Sequence, residues 1–472
     1  MAFLFYYDVC LLAIVCRFLL VSLNIDAILG EVTIGQRRKK LEEMTRGNGL
    51  SDAYTATLTR LKAQKGNKPV LGLKVLMWVS YSERPLRAEE LCQALGVEVG
   101  SADLDPENVP ALRTLLESCL GLVMVEPHKS TLRLVHFTLQ EYLSSDLTLF
   151  RNPHSTIAEV CLTYLNFKRI KDLSPTLFPL PPELPLLEYA SCYWGKHATS
   201  GVTDNGKVLA LSLLDRFDEH ISAQLLLLHK NRDIGLAPHF PWRKGPVGFT
   251  GLHGVVFHGI VEMVPALLET KKWDVNATDS MGSTALTWAV IRGHVEVAKM
   301  LLERKDVNPD LTGTRSGRTP LSWAAECGNE VMVKMLLERA DVNPNTPDAQ
   351  DGRTPLSRAA KHGHEEIVKL LLEQDNVPPD QADTTSGRTP LSWAAECGYE
   401  GVVKVLLGRE DVSPNSVDNY YGGTPLSWAA WRGQAGVVKL LLNERTSIPT
   451  RQTPELVGRH SRGRLSTGNA RW

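Results

Sequence analysis

The sequence contains no pair of cysteines separated by two residues, although it has eight cysteines among 472 residues. Zinc ribbons and dithiol redox sites, which use such pairs, are therefore not indicated. The phosphate-binding loop G-x-x-x-x-G-K-[ST] and the G-x-S-x-G turn of hydrolases are also absent. His364-Glu365 begins like the zinc-peptidase motif H-E-x-x-H, but Val368 stands where the second histidine belongs. The sequence therefore predicts no enzyme, no cofactor and no metal site.

The sequence also lacks an excess of charge of one sign, because its 52 lysines and arginines nearly balance its 53 acidic residues. This balance gives no indication of nucleic-acid binding. A long uninterrupted apolar run is also lacking, since Asp8 and Arg17 break the apolar N-terminus before it reaches the roughly 20 residues of a membrane helix. We therefore expect a cytoplasmic protein and interpret this segment as the buried edge of a larger domain.

What is present is an internal repeat. The tetrapeptide Thr-Pro-Leu-Ser begins at Thr319, Thr354, Thr389 and Thr424, and degenerate copies begin at Thr250 and Thr284. Successive copies lie 34 or 35 residues apart. This pattern resembles the ankyrin repeat, which has a period near 33 and the signature T-P-L-H-x-A. The resemblance covers about residues 245–445 and implies an α-solenoid with β-hairpin turns.

Each part of the repeat has a physical reason. Pro320 fits the first turn of a helix, where its missing N–H leaves no bond unmade. Gly328 can end that helix in a left-handed conformation. Val333 and Leu336 then mark the buried face of a second helix. A single repeat cannot cover this face, so neighbouring repeats are expected to stack.

One column of the repeat holds tryptophan in four copies and arginine in one. The column consists of Trp288, Trp323, Arg358, Trp393 and Trp428. It could be a ligand-binding ladder or packing between neighbouring first helices. We favour packing, because the column directly follows a position in the buried face. Arg358 is expected to be a local weakness or a special contact.

The ankyrin resemblance implies binding through the hairpin tips and the ends of the first helices. These positions vary on a nearly unchanged frame, which suits recognition of a protein ligand on a concave face. The predicted binding residues are Arg318, Arg353, Arg388, Tyr420 and Tyr421 at the tips and Glu326, Lys361, Glu396 and Trp431 at the helix ends. The basic members could recognise an acidic partner. The alternative is an ordinary solvated surface.

Residues 70–145 have a different pattern, with helices predicted over Val70–Ser80, from Pro85 to Leu95, and over Val109–Cys119. Two strands, Leu122–Glu126 and Thr131–Phe137, follow around a turn. Three helices and a hairpin predict a winged-helix domain. Its third helix has too few basic residues to supply the phosphate contacts of DNA binding, so a DNA-associated function is disfavoured.

The stretches Met-Trp-Val-Ser-Tyr-Ser-Glu-Arg-Pro-Leu at 77–86 and Leu-Arg-Leu-Val-His-Phe-Thr-Leu-Gln-Glu-Tyr-Leu at 132–143 resemble the GPI inositol-deacylase-type winged helix of fungal NOD-like receptors. Residues 37–63 resemble the helical end of their NACHT ATPase module, whose nucleotide-binding core is missing here. The resemblance implies that His136 corresponds to a histidine contacting bound nucleotide, which would make it a vestigial sensor. The alternative for His136 is a helix-capping histidine.

These patterns divide the chain into a mainly α-helical series of regions. They are a helical NACHT remnant at 1–66, the winged-helix domain at 67–150, a helical bridge at 151–243, six ankyrin repeats at 244–445 and a basic tail at 446–472. The predicted function is a non-enzymatic recognition scaffold resembling the sensor and regulatory part of a NOD-like receptor. An alternative is a regulatory subunit that acts in trans on a full-length NACHT ATPase.

Overall fold

A computed structural model describes residues 32–39, 50–146, 148–233, 246–270, 273–313 and 316–447. The apolar N-terminus and most of the basic tail, which figure in the sequence predictions, lie outside the described residues. The chain forms two compact units, Met1–Ala324 with Lys334–Val342, and Ala325–Val333 with Asn343–Trp472. The division between them passes through the third repeat.

The first unit contains the predicted winged helix. Helix α1 (Leu50–Lys62) lies before the predicted bounds of this domain, 67–150. The helices and strands within those bounds are α2 (Lys68–Tyr81), α3 (Ala88–Gly96), α4 (Leu112–Ser118), β1 (Val123–Glu126), β2 (Thr131–Leu134) and α5 (Phe137–Ser145). The two strands are antiparallel, with Val123 opposite Leu134. Trp78 of α2 and Leu115 of α4 are buried in its core. The order of three helices followed by a hairpin confirms the prediction.

Several helix and strand ends differ from the prediction by one to three residues; α3, for instance, begins at Ala88 rather than Pro85. Two of the other differences have a local cause in the backbone. Helix α4, the third of the predicted helices, begins at Leu112 rather than Val109. Val109 precedes Pro110, and the residue before a proline avoids the helical conformation. The second strand ends at Leu134 rather than Phe137, because His136 caps the following helix. Periodicity identified both elements, whereas local backbone chemistry sets their ends.

A helical bridge follows the winged helix in the same unit. Its helices are α6 (Pro153–Leu165), α7 (Lys168–Lys171), α8 (Leu187–Ala198), α9 (Asp204–Leu214) and α10 (Ile221–Asp233). Helix α8 packs against α6 and α10. Gly195 of α8 lies against the ring of His258 in the first repeat, where an added Cβ would come within 2.1 Å of the imidazole. The bridge and the first repeat therefore approach closely through this glycine.

The repeats are pairs of short antiparallel helices. In the first unit these are α11 (Gly251–His258), α12 (Val264–Glu269), α13 (Ala285–Arg292) and α14 (Val295–Leu302); the third repeat has α15 (Pro320–Cys327) and α16 (Glu330–Leu337); the second unit continues with α17 (Pro355–His362), α18 (Glu365–Leu372), α19 (Pro390–Cys397), α20 (Glu400–Leu407), α21 (Pro425–Trp431) and α22 (Ala435–Ser447). Gly328 follows α15 with φ +76°, as the C-terminal glycine of a helix should. Val333 and Leu336 are fully buried, as the pattern predicted.

The repeats are joined by tight turns. The Asp383 N–H donates to the Arg388 carbonyl at 2.9 Å, and Gly387, with φ +69°, closes the turn. The turn at Asp348 is built in the same way. None of the helices within the described residues is long and apolar enough to cross a membrane.

Candidate functional site

The site is built on an aspartate at the tips of the second, fourth, fifth and sixth repeats, whereas Gly313 takes this place in the third repeat. The Asp383 carboxylate accepts hydrogen bonds from the backbone N–H groups of Ser386 and Gly387 at 2.6 and 3.1 Å. It also accepts from the indole Nε1 of Trp393 at 3.0 Å. One carboxylate therefore holds both the turn and the first helix. Asp279 with Trp288 and Asp418 with Trp428 make the equivalent indole bond at 2.9 and 2.7 Å.

This geometry favours packing over ligand binding as the role of the tryptophan column. Trp288 and Trp393 are buried, and their indole N–H groups are already bonded within the repeat. Their rings therefore pack inside the array, as favoured from the sequence. The tip aspartates were missed in the sequence, although Asp348, Asp383 and Asp418 recur every 35 residues and could have been found by the same periodicity.

Arg358 replaces the tryptophan without leaving a gap. Its guanidinium is buried and forms an ion pair with Asp348, the tip aspartate of its own repeat. It also pairs with Glu326 at 3.2 Å and with Asp351 at 3.5 Å. Arginine thus donates to the carboxylate that an indole contacts elsewhere. Arg358 is therefore the special contact rather than a local weakness, because three carboxylates neutralise its charge.

The predicted tip arginines are part of the frame. Arg388 lies between two rings of the column, with its Cζ 4.6 Å from the Trp393 centroid and 3.4 Å from that of Trp428. Its guanidinium forms an ion pair with Glu396. Arg353 stacks on Trp393 at 4.3 Å. These side chains are mostly buried, so their charges largely serve cation–π contacts and ion pairs within the second unit.

Glu396 binds two arginines at once. Besides Arg388, it accepts from Arg432 Nη2 at 2.8 Å. Burial raises the pKa of this carboxyl, but the bonds and charges of the two arginines outweigh that effect and hold its pKa below the usual range. Glu396 is therefore ionised and mostly neutralised. Arg318, in the first unit, is half-buried over the ring of Trp323 at 4.5 Å.

Lys361 differs from these cations. It lies in the last turn of the first helix of the fourth repeat, and its Nζ lies 4.8 Å from the Trp393 centroid. Partial burial lowers its pKa, and the charges of Arg353 and Arg358 lower it further. Among the residues that the structure describes, no carboxylate forms an ion pair with Lys361. The arrangement leaves a positive charge here that an anion from outside could neutralise.

Three predicted aromatic residues stand on the surface of the last repeat. Tyr420, Tyr421 and Trp431 are 70%, 80% and 68% exposed. Tyr421 and Trp431 both contact the ring of Trp428, with centroids 5.9 and 5.5 Å away. Arg432 stacks on Trp431 at 4.6 Å. We call Tyr420, Tyr421 and Trp431 the aromatic cluster.

His136 lies far from the repeat tips in the sequence and has its own local role. Its Nδ1 accepts from the Thr138 N–H at 3.3 Å and contacts the Thr138 hydroxyl at 2.8 Å. His136 therefore caps the N-terminus of α5, as the helix-capping alternative predicts. Its correspondence to a nucleotide-contacting histidine stays a prediction.

Comparison with known proteins agrees with this architecture. A family model described as "Ankyrin repeats (3 copies)" matches overlapping stretches at 219–313, 252–348, 304–383, 339–418 and 376–452. A second, "GPI inositol-deacylase, winged helix domain", matches 59–158. The chain therefore combines a winged-helix domain of this type with ankyrin repeats. The ankyrin repeats indicate a protein–protein interaction scaffold, a module that is typically non-enzymatic.

Several solved structures with similarity to the chain are ankyrin-repeat proteins. The ankyrin repeat domain of Bcl-3, a member of the IkappaB protein family, is 26% identical, with 42% of this chain and 87% of that chain covered and a TM-score of 0.38. An ankyrin repeat domain from Acinetobacter baumannii AYE is 28% identical, with coverage of 41% and 97% and a TM-score of 0.37. No curated protein matches the chain.

Proposed function

We propose that this chain is the sensor and regulatory part of a fungal-type NOD-like receptor, and that its ankyrin repeats bind a protein ligand. The order of domains supports this proposal, since a winged helix of the deacylase type precedes ankyrin repeats. The single observation that carries the binding function is the aromatic cluster, which is exposed on a repeat whose other aromatic side chain is held by Asp418.

The aromatic cluster suits a protein ligand for energetic reasons. Tyrosine and tryptophan are enriched among the residues that dominate binding energy at interfaces. Their rings bring large contact areas at little cost in side-chain entropy. Trp431 is also positioned before binding, because it packs edge-on against Trp428 and under Arg432. A ligand would therefore meet a prepared surface.

The charge of Lys361 indicates the charge that the proposed ligand should carry. Lys361, Glu396 and Trp431 occupy the same position in successive first helices, α17, α19 and α21, which pack side by side. Glu396 is neutralised by two arginines, so the remaining charge on this row is positive. We therefore propose a ligand segment that presents an apolar or aromatic side chain to Trp431 and a carboxylate to Lys361.

A capture experiment tests the proposal. The full chain carries the triple substitution Tyr421→Ala, Trp431→Ala and Lys361→Ala, and a control chain carries Lys334→Ala and Lys404→Ala on exposed positions of second helices. Proteins retained from native lysate by each chain are identified by mass spectrometry. We expect at least one specific partner that the wild type and the control retain and the triple variant loses. A partner lost only by the control would contradict the surface assignment.

A further inference from the structure

Outside the repeats, three potential metal ligands converge at the junction of the winged helix and the bridge. Glu83 follows α2, His154 lies in the first turn of α6, and His197 lies in the last turn of α8. One ligand atom of each lies within 4.8 Å of the other two. His197 is fully buried, and the other two are half-buried. The three residues are far apart in the sequence, so no spacing motif marks them.

The two imidazoles face each other through the nitrogens that would bind a metal. His154 Nδ1 and His197 Nδ1 are 2.8 Å apart, which is a hydrogen-bond distance. Two neutral histidines sharing one such bond leave one Nδ1 as donor and the other as acceptor. Tetrahedral zinc with bonds of about 2.0–2.1 Å places its ligand nitrogens roughly 3.3–3.4 Å apart. A small rotation of either ring would therefore open the pair around an ion.

The surroundings supply the outer contact that a metal-bound histidine needs. The Tyr189 hydroxyl lies 2.9 Å from His197 Nε2 and is itself buried in the bridge. With the proton of His197 on Nε2, the hydroxyl oxygen accepts it and leaves Nδ1 free to bind a metal. The same oxygen accepts from the Glu83 backbone N–H at 3.1 Å. Tyr189 thus fixes both one ligand ring and the segment that carries the carboxylate.

We propose that Glu83, His154 and His197 bind one divalent transition-metal ion, of which zinc fits best, and that the ion clamps the winged helix to the bridge. Two imidazoles and one carboxylate are a common zinc ligand set, and a water completes the tetrahedron. Lys196 opposes binding, since its ammonium pairs with the Glu83 carboxylate. The ammonium must leave that carboxylate when the ion enters.

Zinc titration of the full purified chain by calorimetry tests the site, with Co²⁺ absorption as a second readout of tetrahedral coordination. We expect one equivalent of zinc to bind. His154→Gln and Glu83→Gln should each weaken binding by at least about a hundredfold. Lys196→Met should strengthen it, because the competing ammonium is removed. At about one hundred times Kd, zinc should raise the Tm of the wild type by roughly 5 °C.

The matched control removes a second neighbouring histidine pair, His362 and His364, whose rings stack 6.2 Å apart in the second unit. The double variant His362→Gln, His364→Gln should bind zinc as the wild type does. Absence of one-to-one binding, or binding that His154→Gln leaves unchanged, would overturn the proposal and leave the histidine pair as a hydrogen bond alone. Weaker binding by Lys196→Met would contradict the assignment of Glu83 as a ligand.

Discussion

The indole N–H of Trp393 donates a hydrogen bond to the carboxylate of Asp383 at 3.0 Å, and both residues are buried. Because the same carboxylate also holds the turn N–H groups, the bond connects the tip of a repeat to its first helix. The pairing repeats at Asp418 and Trp428. The repeat that carries the predicted binding residues is therefore held by polar contacts as well as by apolar packing.

The Trp393–Asp383 pair should be important for stability. Trp393→Ala should lower the free energy of unfolding of the second unit by about 3–5 kcal/mol, since it removes a buried ring that three cations contact. Trp393→Phe keeps most of the ring but removes the N–H, and should cost about 1–3 kcal/mol. Urea denaturation measures both. Equal, small losses would mean that the column is not packed as described.

Arg358 should be replaceable by tryptophan but not by alanine. Arg358→Trp restores the residue found elsewhere in the column, whose indole can donate to Asp348. Arg358→Ala leaves Asp348 buried without its cation, and should cost about 3–5 kcal/mol, as loss of one partner of a buried pair does. Thermal unfolding of the two variants provides the comparison. A larger loss for Arg358→Trp than for Arg358→Ala would refute this account.

His220 should make the first unit sensitive to acid. Burial lowers its pKa from 6.5 to about 4, while its Nε2 donates to the Leu165 carbonyl at 3.1 Å. Above pH 6.5 the histidine is neutral in both the folded and the unfolded chain, so it does not affect the pH dependence. Between pH 6.5 and 4 only the unfolded chain takes up the proton, and stability falls by roughly 3 kcal/mol.

The matched variant for this prediction is His220→Asn, which keeps a side chain able to cap α10 but cannot titrate. Denaturation curves between pH 7 and pH 4 should show a shallower loss of stability for this variant than for the wild type. Parallel curves would mean that His220 does not contribute to the acid limb.

The periodic parts of this molecule could be predicted from the sequence because their signal repeats. The buried Val333 and Leu336 follow from helical spacing alone. The pairing of Arg388 with Glu396 could not be predicted, because it depends on how side chains of one repeat fold back on each other. The same holds for His154 and His197, which meet only when two helices of the bridge pack together.

The residues predicted for binding fall into an exposed group and a buried group. Tyr421 at a hairpin tip and Trp431 at the end of a first helix are as exposed as contact with a partner requires. Arg353 and Arg388 occupy the expected tips, but stacked tryptophans withdraw them from solvent. Sequence variation identified where side chains differ on the frame, whereas burial distinguishes those able to reach a partner.

Charge should contribute to binding separately from the aromatic contacts. Lys361→Gln removes the cation from the row of Lys361, Glu396 and Trp431, and this cation forms no ion pair among the described residues. The substitution should weaken binding of the captured partner and make that binding less dependent on salt concentration. Lys404→Gln, on an exposed position of α20, is the matched control. Identical salt dependence for wild type and Lys361→Gln would show that the ligand presents no carboxylate there.

The most direct test of the central claim is the Kd of the captured partner, measured by calorimetry for three chains of matched melting temperature. The chain with Tyr421→Ala, Trp431→Ala and Lys361→Ala should lose at least about a hundredfold in affinity, because aromatic hot spots contribute about 2 kcal/mol or more each. The chain with Lys334→Ala and Lys404→Ala should bind within about twofold of the wild type, as exposed side chains outside an interface do. Undiminished binding by the triple variant would contradict the account.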